Sequence, residues 1–208
     1  MPFLLLIRHG ENEYTKTGKM AGHTPGVHLN ERGEKQAREL AEALKDVPIS
    51  AIYSSPLERA METAQPIAKL KKLKIHQRAA LIETKIGKWQ GMSIRQAAKL
   101  KAWKLLQQRP SRFRFPGGES ILECQTRLIS GIDEIISAHK PQDVIALVFH
   151  ADPIKLVTTY YLGMPLDNFQ RIAVDTASVT VMAVGESGAA LIKQNARPPF
   201  KFEFGRAK

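Results

Sequence analysis

The chain has 208 residues, a formal net charge of +11, 43% hydrophobic residues and 25% charged residues. This length and balance are enough to bury one sizeable core, so we expect a single domain over residues 1–208. No apolar run is long enough to span a bilayer, and we therefore expect no membrane association.

The large positive charge makes nucleic acid the first partner to consider. The Lys and Arg residues are scattered, however, and the densest run covers only residues 69–74. No zinc-finger, basic-zipper or Gly-rich RNA-binding signature is present. A positive field also steers a small anionic substrate toward a protein. We therefore expect no nucleic-acid partner, and a nucleic-acid-binding module remains an alternative that depends on charge alone.

The N-terminal segment bears on the compartment, and the single cysteine on disulfide formation. Residues 3–7 are apolar, but a secretory signal places its basic residues first and has a longer apolar stretch. A short buried strand explains the segment better, and we expect a cytoplasmic protein. Cys124 has no second cysteine to pair with and falls on the apolar face of a predicted helix, so we expect a buried core thiol.

The first predicted elements are a strand over residues 3–7 and a long loop over 10–29. Asn30 is a favourable N-cap and is expected to start the first helix. A short strand over 51–53 follows. The tetrapeptide Ser55-Pro56-Leu57-Glu58 is then typical of a capping box with proline at the first helical position, so a second helix is expected here.

The middle of the chain is less regular. In order, it is expected to contain a strand near residues 74–76, a loop over 81–92, a helix over 93–108 and a turn over 115–118. Ser120 and Glu123 then form a second capping box, which opens a helix with Cys124 on its apolar face.

The last third of the chain indicates how the sheet is built. The apolar run over 144–149 is typical of a central strand buried on both faces, and Asp152 is expected to cap the following helix. Residues 179–183 and 189–193 are expected to form a hairpin. Alternation of short apolar runs with helical periodicity predicts an α/β fold with a mostly parallel sheet and an antiparallel edge strand.

Three polar residues follow strands in this arrangement. His9 follows the first strand, Arg59 lies in the first turn of the helix after the second, and His150 follows the apolar strand. The carboxyl ends of parallel strands line one crevice, where helix N-termini attract anions. A cation in a first helical turn opposes the helix dipole, so Arg59 indicates either a neighbouring Glu58 or Glu62 carboxylate or a bound phosphate.

These residues belong to an ordered series of motifs. The series is Arg8-His9-Gly10-Glu11, Ser54-Ser55-Pro56-Leu57-Glu58-Arg59-Ala60, Thr63-Ala64, Glu83, Gly87, Trp89-Gln90-Gly91, Pro116-Gly117-Gly118-Glu119-Ser120 and His150. It resembles the histidine phosphatase superfamily (phosphoglycerate mutase-like, branch 1), which includes cofactor-dependent phosphoglycerate mutases and α-ribazole phosphatases. The resemblance extends from Leu4 to about Ala183 and implies a three-layer α/β/α sandwich.

The resemblance also implies a role for each motif residue. His9 corresponds to the nucleophile that becomes phosphohistidine, and Arg8 and Arg59 correspond to the two arginines that grip the phosphoryl oxygens. His150 corresponds to the second histidine of the pocket, and Glu83 to the proton donor. These residue types suit the chemistry, since neutral imidazole is nucleophilic and guanidinium groups bind phosphate oxygens in pairs without losing their charge.

Phosphoryl transfer depends mainly on positioning and on charge stabilisation. Two arginines and a second histidine supply positive charge that other enzymes take from magnesium, and the sequence has no separate cluster of metal ligands. We therefore expect neither a metal nor another cofactor. The expected partner is a small phosphorylated substrate.

Several positions depart from the family's pattern or lie near it. Thr15 stands where the family often has an asparagine that binds phosphate, and its hydroxyl is expected to donate one hydrogen bond instead. Ala151 stands where glycine is usual, and its amide is expected to face the anion. Gly22 is a candidate substrate-binding residue, although the family's usual glutamine does not precede it. His23 and His28 are expected to be solvated loop histidines.

The segment from Glu83 to Gly118 bears on the reaction catalysed. Mutases of this family carry an inserted segment that closes over the site, whereas one predicted helix is expected here, which favours water as the second acceptor. A phosphatase acting on a small phosphomonoester through phosphohistidine is therefore preferred. The alternatives are a cofactor-dependent phosphoglycerate-type phosphomutase and a non-catalytic binding protein with the same fold. Residues 197–208 are predicted to be a C-terminal tail, an edge cover or the arm of a homodimer.

Overall fold

The computed structural model describes residues 1–200, which form a single six-stranded sheet and seven α-helices. The strands are β1 (Phe3–Arg8), β2 (Ile49–Ser54), β3 (Ile75–Gln77), β4 (Val144–Phe149), β5 (Val179–Gly185) and β6 (Gly188–Ala196). The helices are α1 (Glu13–Lys16), α2 (Glu31–Ala43), α3 (Glu58–Lys71), α4 (Ile94–Ala97), α5 (Lys101–Gln108), α6 (Ile121–Ser137) and α7 (Ala151–Tyr161). The predicted α/β class is confirmed.

The strands lie in the order β3-β2-β4-β1-β5-β6. The pairs β3–β2, β2–β4 and β4–β1 are parallel, whereas β5 is antiparallel to both β1 and β6. A mostly parallel sheet with an antiparallel hairpin at one edge is therefore confirmed. The parallel half matters for function, because all its strands end at the same edge.

The two faces of β1 show how the layers arise. Successive side chains of a strand point to opposite faces. Leu4 and Leu6 join the core under α6 and α7, whereas Leu5 and Ile7 join the core under α2 and α3. All four side chains are fully buried. A strand covered on both faces needs a continuous apolar run, and the predicted three-layer α/β/α sandwich is confirmed.

The helix predicted over residues 93–108 is two helices instead, α4 and α5. Ala97 in α4 and Leu106 in α5 are both buried. In one straight helix these residues, nine apart, would point in opposite directions, because each residue turns the chain by about 100°. The break before α5 changes the helix direction, so both side chains reach the core.

Two predicted helix caps are wrong. α3 begins at Glu58 with Leu57 as its N-cap, and no side chain caps it. α7 begins at Ala151, so Asp152 lies inside its first turn and does not cap it. In both cases the side chain contacts the site instead of a helix N-terminus: Ser55 hydrogen-bonds to His150, and Asp152 lines the cleft. The caps predicted at Asn30 and Ser120 are confirmed.

Cys124 is fully buried, as predicted, and its Sγ lies 3.4 Å from the Thr84 hydroxyl. Burial is the main cause that raises the pKa of this thiol above its ordinary value. Phe200 packs against the core under α2 and α3. Residues 201–208 of the predicted tail lie outside the described residues. No helix within residues 1–200 combines the length and apolarity that a membrane crossing needs.

Candidate active site

The carboxyl ends of β1, β2 and β4 bring three distant segments of the chain together. The His9 amide donates to the Phe149 carbonyl at 3.0 Å, and the Ser55 amide donates to the Val148 carbonyl at 2.9 Å. The rings of His9 and His150 consequently lie with their centroids 5.2 Å apart. The crevice predicted from the sequence is therefore present, with His9 in its lining and His150 buried beside His9.

His9 is buried, and its Nδ1 lies 2.7 Å from the Gly10 carbonyl oxygen. Because a carbonyl only accepts, Nδ1 carries the proton and donates it, which leaves the lone pair on Nε2. Burial lowers the pKa of His9 well below 6.5, and the positive charges of Arg59 and Arg8 lower it further. His9 is thus neutral near pH 7, with Nε2 as a nucleophilic atom.

The loop after β1 is clamped between two helices. The Gly10 amide donates to Thr63 Oγ1 at 2.9 Å, and the Thr63 hydroxyl donates to the Arg59 carbonyl at 2.7 Å, which ties the loop to α3. On the other side, a Cβ on Gly10 would lie 2.7 Å from the Gly33 carbonyl oxygen in α2. Only glycine fits at this close approach, and the clamp fixes the position of His9.

Arg8, the last residue of β1, and Arg59 in α3 line the same cleft, and Arg59 is only 1% exposed. Arg8 Nη1 donates to the Val174 carbonyl at 2.7 Å, and Arg59 Nη2 donates to the Gly22 carbonyl at 2.9 Å. Within residues 1–200, Arg8 Nε and Arg59 Nη1 have no acceptor, and the arginine–carboxylate ion pairs all involve other arginines. Burying a charge without a counter-ion costs several kcal/mol. Each arginine therefore has a buried nitrogen that is available to an anionic ligand.

His150 is fully buried beside His9. Its Nε2 lies 2.8 Å from Ser55 Oγ, and that oxygen also accepts from the Leu57 amide at 3.4 Å. In the tautomer in which the Ser55 hydroxyl donates to His150 Nε2, the ring proton is on Nδ1, the nitrogen that lies nearer Glu83. Burial lowers the pKa of His150 well below 6.5, with Arg59 as the next cause, so the ring is neutral. Sequence reasoning missed Ser55 as the partner of this histidine.

Glu83 is the third titratable side chain of the site, after His9 and His150. Its Oε2 lies 3.8 Å from His150 Nδ1, and its Oε1 accepts from the Thr84 amide at 2.8 Å. The pKa of Glu83 is raised from 4.5 to about 7, first by burial and second by the negative charge of Asp152, while Arg59 and Arg8 oppose the rise. Near pH 7 this carboxyl group exists in both protonation states, so it can donate and accept a proton.

The backbone at Glu83 is held from two sides. His23 Nε2 lies 2.6 Å from the Glu83 carbonyl oxygen. Arg127 in α6 donates through Nη1 to the Ala80 and Ile82 carbonyls at 2.6 and 3.1 Å, and its Nη2 pairs with Glu119 at 2.8 Å. His23 therefore contacts the backbone of Glu83 and is only partly exposed, unlike the predicted solvated loop residue.

Three residues near the arginines contribute different contacts: a backbone amide, an ion pair and a backbone carbonyl. Ala151 is the first residue of α7, and its amide, at the positive end of that helix, lines the cleft. Asp152, the next residue, pairs with Lys155 at 3.0 Å. Gly22 has a φ of +52°, and its carbonyl orients Arg59, so it acts on the anion site through the arginine.

The Thr15 hydroxyl forms hydrogen bonds within its own loop. Its hydroxyl accepts from the Asn12 amide at 3.0 Å and donates to the Asn12 carbonyl at 2.9 Å, which forms a capping box at the start of α1. The Thr15 hydroxyl thus donates one hydrogen bond and accepts another within the loop. Asn12, which was not among the residues predicted for the site, lines the same cleft as Thr15 and His9.

The site opens into one cleft of about 390 Å³. Its polar wall includes Arg8, His9, Asn12, Arg59, Glu83, Asp152, Lys19 and Lys155. Its apolar wall consists of Met20, Ala21, Ile86, Ile94, Trp103, Leu106 and Phe115. His28 lies elsewhere, paired with Glu62 on the surface. Among residues 1–200, no three His, Cys, Asp or Glu side chains are grouped in a way that suits a metal ion.

Known proteins resemble this chain in sequence and in structure. It is 32% identical over 197 residues to phosphoserine phosphatase 1 of Hydrogenobacter thermophilus, covering 92% of this chain and 91% of the relative. It is 28% identical to a 2,3-bisphosphoglycerate-dependent phosphoglycerate mutase of Thermoplasma acidophilum, with 88% of both chains covered. The solved structure of a mycobacterial glucosyl-3-phosphoglycerate phosphatase with VO3 superposes with a TM-score of 0.85 at 28% identity, covering 93% of this chain and 98% of that one.

The family itself is settled by the match over nearly the whole chain. A sequence profile of the histidine phosphatase superfamily (branch 1) matches residues 4–197. This range contains all the strands and helices described above except Phe3, the first residue of β1. The chain therefore belongs to the histidine phosphatase superfamily (branch 1), as its motifs predicted.

Proposed function

We propose that this protein is a phosphatase that hydrolyses a small phosphomonoester through a phosphohistidine on His9. One observation carries the proposal: the partly buried Arg8 and the buried Arg59, which form no carboxylate ion pair within residues 1–200, line one cleft with a neutral histidine whose Nε2 carries a lone pair. A dianionic phosphoryl group satisfies the arginines and presents its phosphorus to that nitrogen. Relatives named as phosphatases support the same class of reaction.

In the first step, His9 Nε2 attacks phosphorus, a P–N bond forms and the ester P–O bond breaks. Arg8 and Arg59 stabilise the charge on the phosphoryl oxygens, and Nδ1–H of His150 donates to one of them. The Gly10 carbonyl accepts from His9 Nδ1–H throughout, so the positive charge that develops on the ring is stabilised.

The leaving alkoxide takes its proton from Glu83. With a pKa of about 7, Glu83 is protonated in a substantial fraction of molecules at neutral pH. After the alcohol departs, the ionised Glu83 accepts a proton from water, which attacks phosphorus and breaks the P–N bond. Phosphate leaves, and His9 and Glu83 regain their starting protonation states.

Water is proposed as the second acceptor because the segment between Glu83 and Gly118 is short. It contributes α4 and α5, whose Ile94, Trp103 and Leu106 form one wall of the cleft. The phosphomutase named among the relatives makes transfer to a second substrate the specific alternative. Added bisphosphoglycerate distinguishes the two activities.

The cleft also favours a class of substrate. Lys19 and Lys155 lie on its wall, so a second anionic group on the alcohol portion is expected to bind there. Phosphoserine and phosphoglycerate derivatives carry such a group, and both appear in the names of relatives.

We further propose a cytoplasmic protein with a single domain over residues 1–208. Residues 3–8 form a strand at the centre of the sheet, which supports their role as part of this domain and not as an export signal.

The test is phosphate release from a panel of phosphomonoesters, with and without 2,3-bisphosphoglycerate. The panel includes phosphoserine, 3-phosphoglycerate, glucosyl-3-phosphoglycerate, α-ribazole phosphate and para-nitrophenyl phosphate. Acid-labile phosphate is expected on the wild-type protein after quenching, and neither turnover nor label on a folded His9→Ala variant. Substantial turnover by that variant would falsify the covalent route, and transfer that requires bisphosphoglycerate would favour the mutase.

A further inference from the structure

We propose that Asn12 donates a hydrogen bond from its side-chain Nδ2 to the bound phosphoryl group, in the place where the sequence predicted a bond from Thr15. The inference deepens the proposed function and rests on it. It concerns a binding residue on the loop of the nucleophile, three positions after His9.

The orientation of the Asn12 amide follows from its cap. Asn12 is fully buried, and its Oδ1 accepts from the Thr15 amide at 2.9 Å. A backbone N–H only donates, so the atom that faces it must be the oxygen. The other end of the side chain is therefore the NH₂ group, which is a donor.

That donor has no acceptor within the described part of the chain. Asn12 Nδ2 is buried and unpartnered, and Asn12 lines the same cleft as Arg8, His9 and Arg59. The two arginines also present unpartnered nitrogens, Arg8 Nε and Arg59 Nη1. Buried polar groups in proteins are normally satisfied, so three unpaired donors beside one nucleophile indicate a shared acceptor. A phosphoryl group has three oxygens that accept such bonds.

Thr15 cannot take this role without losing its cap. Its hydroxyl proton is directed to the Asn12 carbonyl at 2.9 Å, and its oxygen accepts from the Asn12 amide at 3.0 Å. The reciprocal bonds between the two residues thus assign them different tasks. Thr15 fixes the loop, and Asn12 faces the anion.

Two substitutions separate the cap from the donor. Aspartate and serine are both good N-caps, so Asn12→Asp and Asn12→Ser retain an oxygen for the Thr15 amide while removing the NH₂ group. Asn12→Asp also places a carboxylate against the phosphoryl oxygens. Thr15→Ala is the matched control, because it removes the hydroxyl from the same cap and leaves the Asn12 donor in place.

The measurement is binding of orthovanadate and of inorganic phosphate to each purified full-length protein by calorimetry, together with thermal unfolding without ligand. We expect Asn12→Ser to weaken vanadate binding by about 10-fold to 100-fold, the range for one hydrogen bond to a charged group. Asn12→Asp is expected to weaken it further while remaining folded. Thr15→Ala is expected to lower thermal stability but to change vanadate affinity by about twofold or less.

Two results overturn the inference while leaving the proposed function intact. One is wild-type vanadate affinity in folded Asn12→Asp, and the other is a loss in Thr15→Ala as large as that in Asn12→Ser. If Asn12→Ser does not fold, Asn12→Asp decides alone. A wild-type protein that binds neither anion and hydrolyses no phosphomonoester overturns both proposals together.

Discussion

Replacing Glu83 with glutamine is expected to stabilise the protein at neutral and alkaline pH while it impairs catalysis. Glu83 has a pKa of about 7 in the fold against 4.5 for an ordinary glutamate. Between these values the folded protein retains a proton that the unfolded chain has released. The free energy of unfolding of the wild type therefore falls as pH rises from 4.5 to 7, and it levels off above 7.

The magnitude follows from the same two pKa values. Each pH unit between them corresponds to about 1.4 kcal/mol, which gives roughly 3 kcal/mol above pH 7. The Glu83 side chain retains 19% exposure, so solvent screening reduces this value somewhat. Glutamine has nearly the same shape, still accepts from the Thr84 amide and never ionises. We expect Glu83→Gln to gain about 2–3 kcal/mol relative to the wild type at pH 8, and little at pH 4.5.

The assay is urea unfolding of both proteins between pH 4.5 and pH 8 in phosphate-free buffer, so that no anion occupies the arginines. Glu11→Gln is the control, because Glu11 pairs with Arg32 at 3.3 Å on the outer side of the loop, and its loss should lower stability slightly. A stability difference between Glu83→Gln and the wild type that does not change with pH would show that the pKa of Glu83 is not raised by the fold.

Three further predictions concern activity. Glu83→Gln should slow hydrolysis of an alkyl phosphate by about 10²–10⁴-fold and that of para-nitrophenyl phosphate clearly less, because phenolate leaves without a proton; equal losses on both substrates would contradict Glu83 as the acid. Asp152→Asn removes the second cause of the raised pKa of Glu83, so the alkaline limb of the kcat/KM profile for an alkyl phosphate should move to lower pH, and an unmoved limb would contradict this coupling. Activity should survive exhaustive chelation and be inhibited by vanadate, whereas a loss with EDTA that magnesium restores would contradict a site built on Arg8 and Arg59.

The positions of the main site residues were predictable because one rule of parallel sheets connects sequence to place. His9 and His150 follow strands, and Arg59 lies in the first turn of a helix after a strand. Those ends meet at one edge whatever lies between them in the chain. The family, the fold class and the enzyme class followed from the motifs and are confirmed.

The contacts that tune the site were not predictable in this way. Ser55 and His150 are 95 positions apart, and the local pattern around Ser55 favoured a helix cap. The pKa of Glu83 depends on Asp152, which reaches it only after the whole sheet has formed. Asn12 was missed because its reciprocal partner is Thr15, whereas the usual capping box has Glu or Gln at that position.

The burial of Cys124 has a practical consequence for chemical labelling. The thiol lies on the buried face of α6, and its raised pKa keeps it protonated. Alkylating reagents will therefore react with it slowly in the folded protein. A cysteine introduced at exposed Leu105 on α5 would consequently be the one fast-reacting thiol without removal of the native residue. A fluorophore attached there would report on the wall of the cleft as phosphate or vanadate binds.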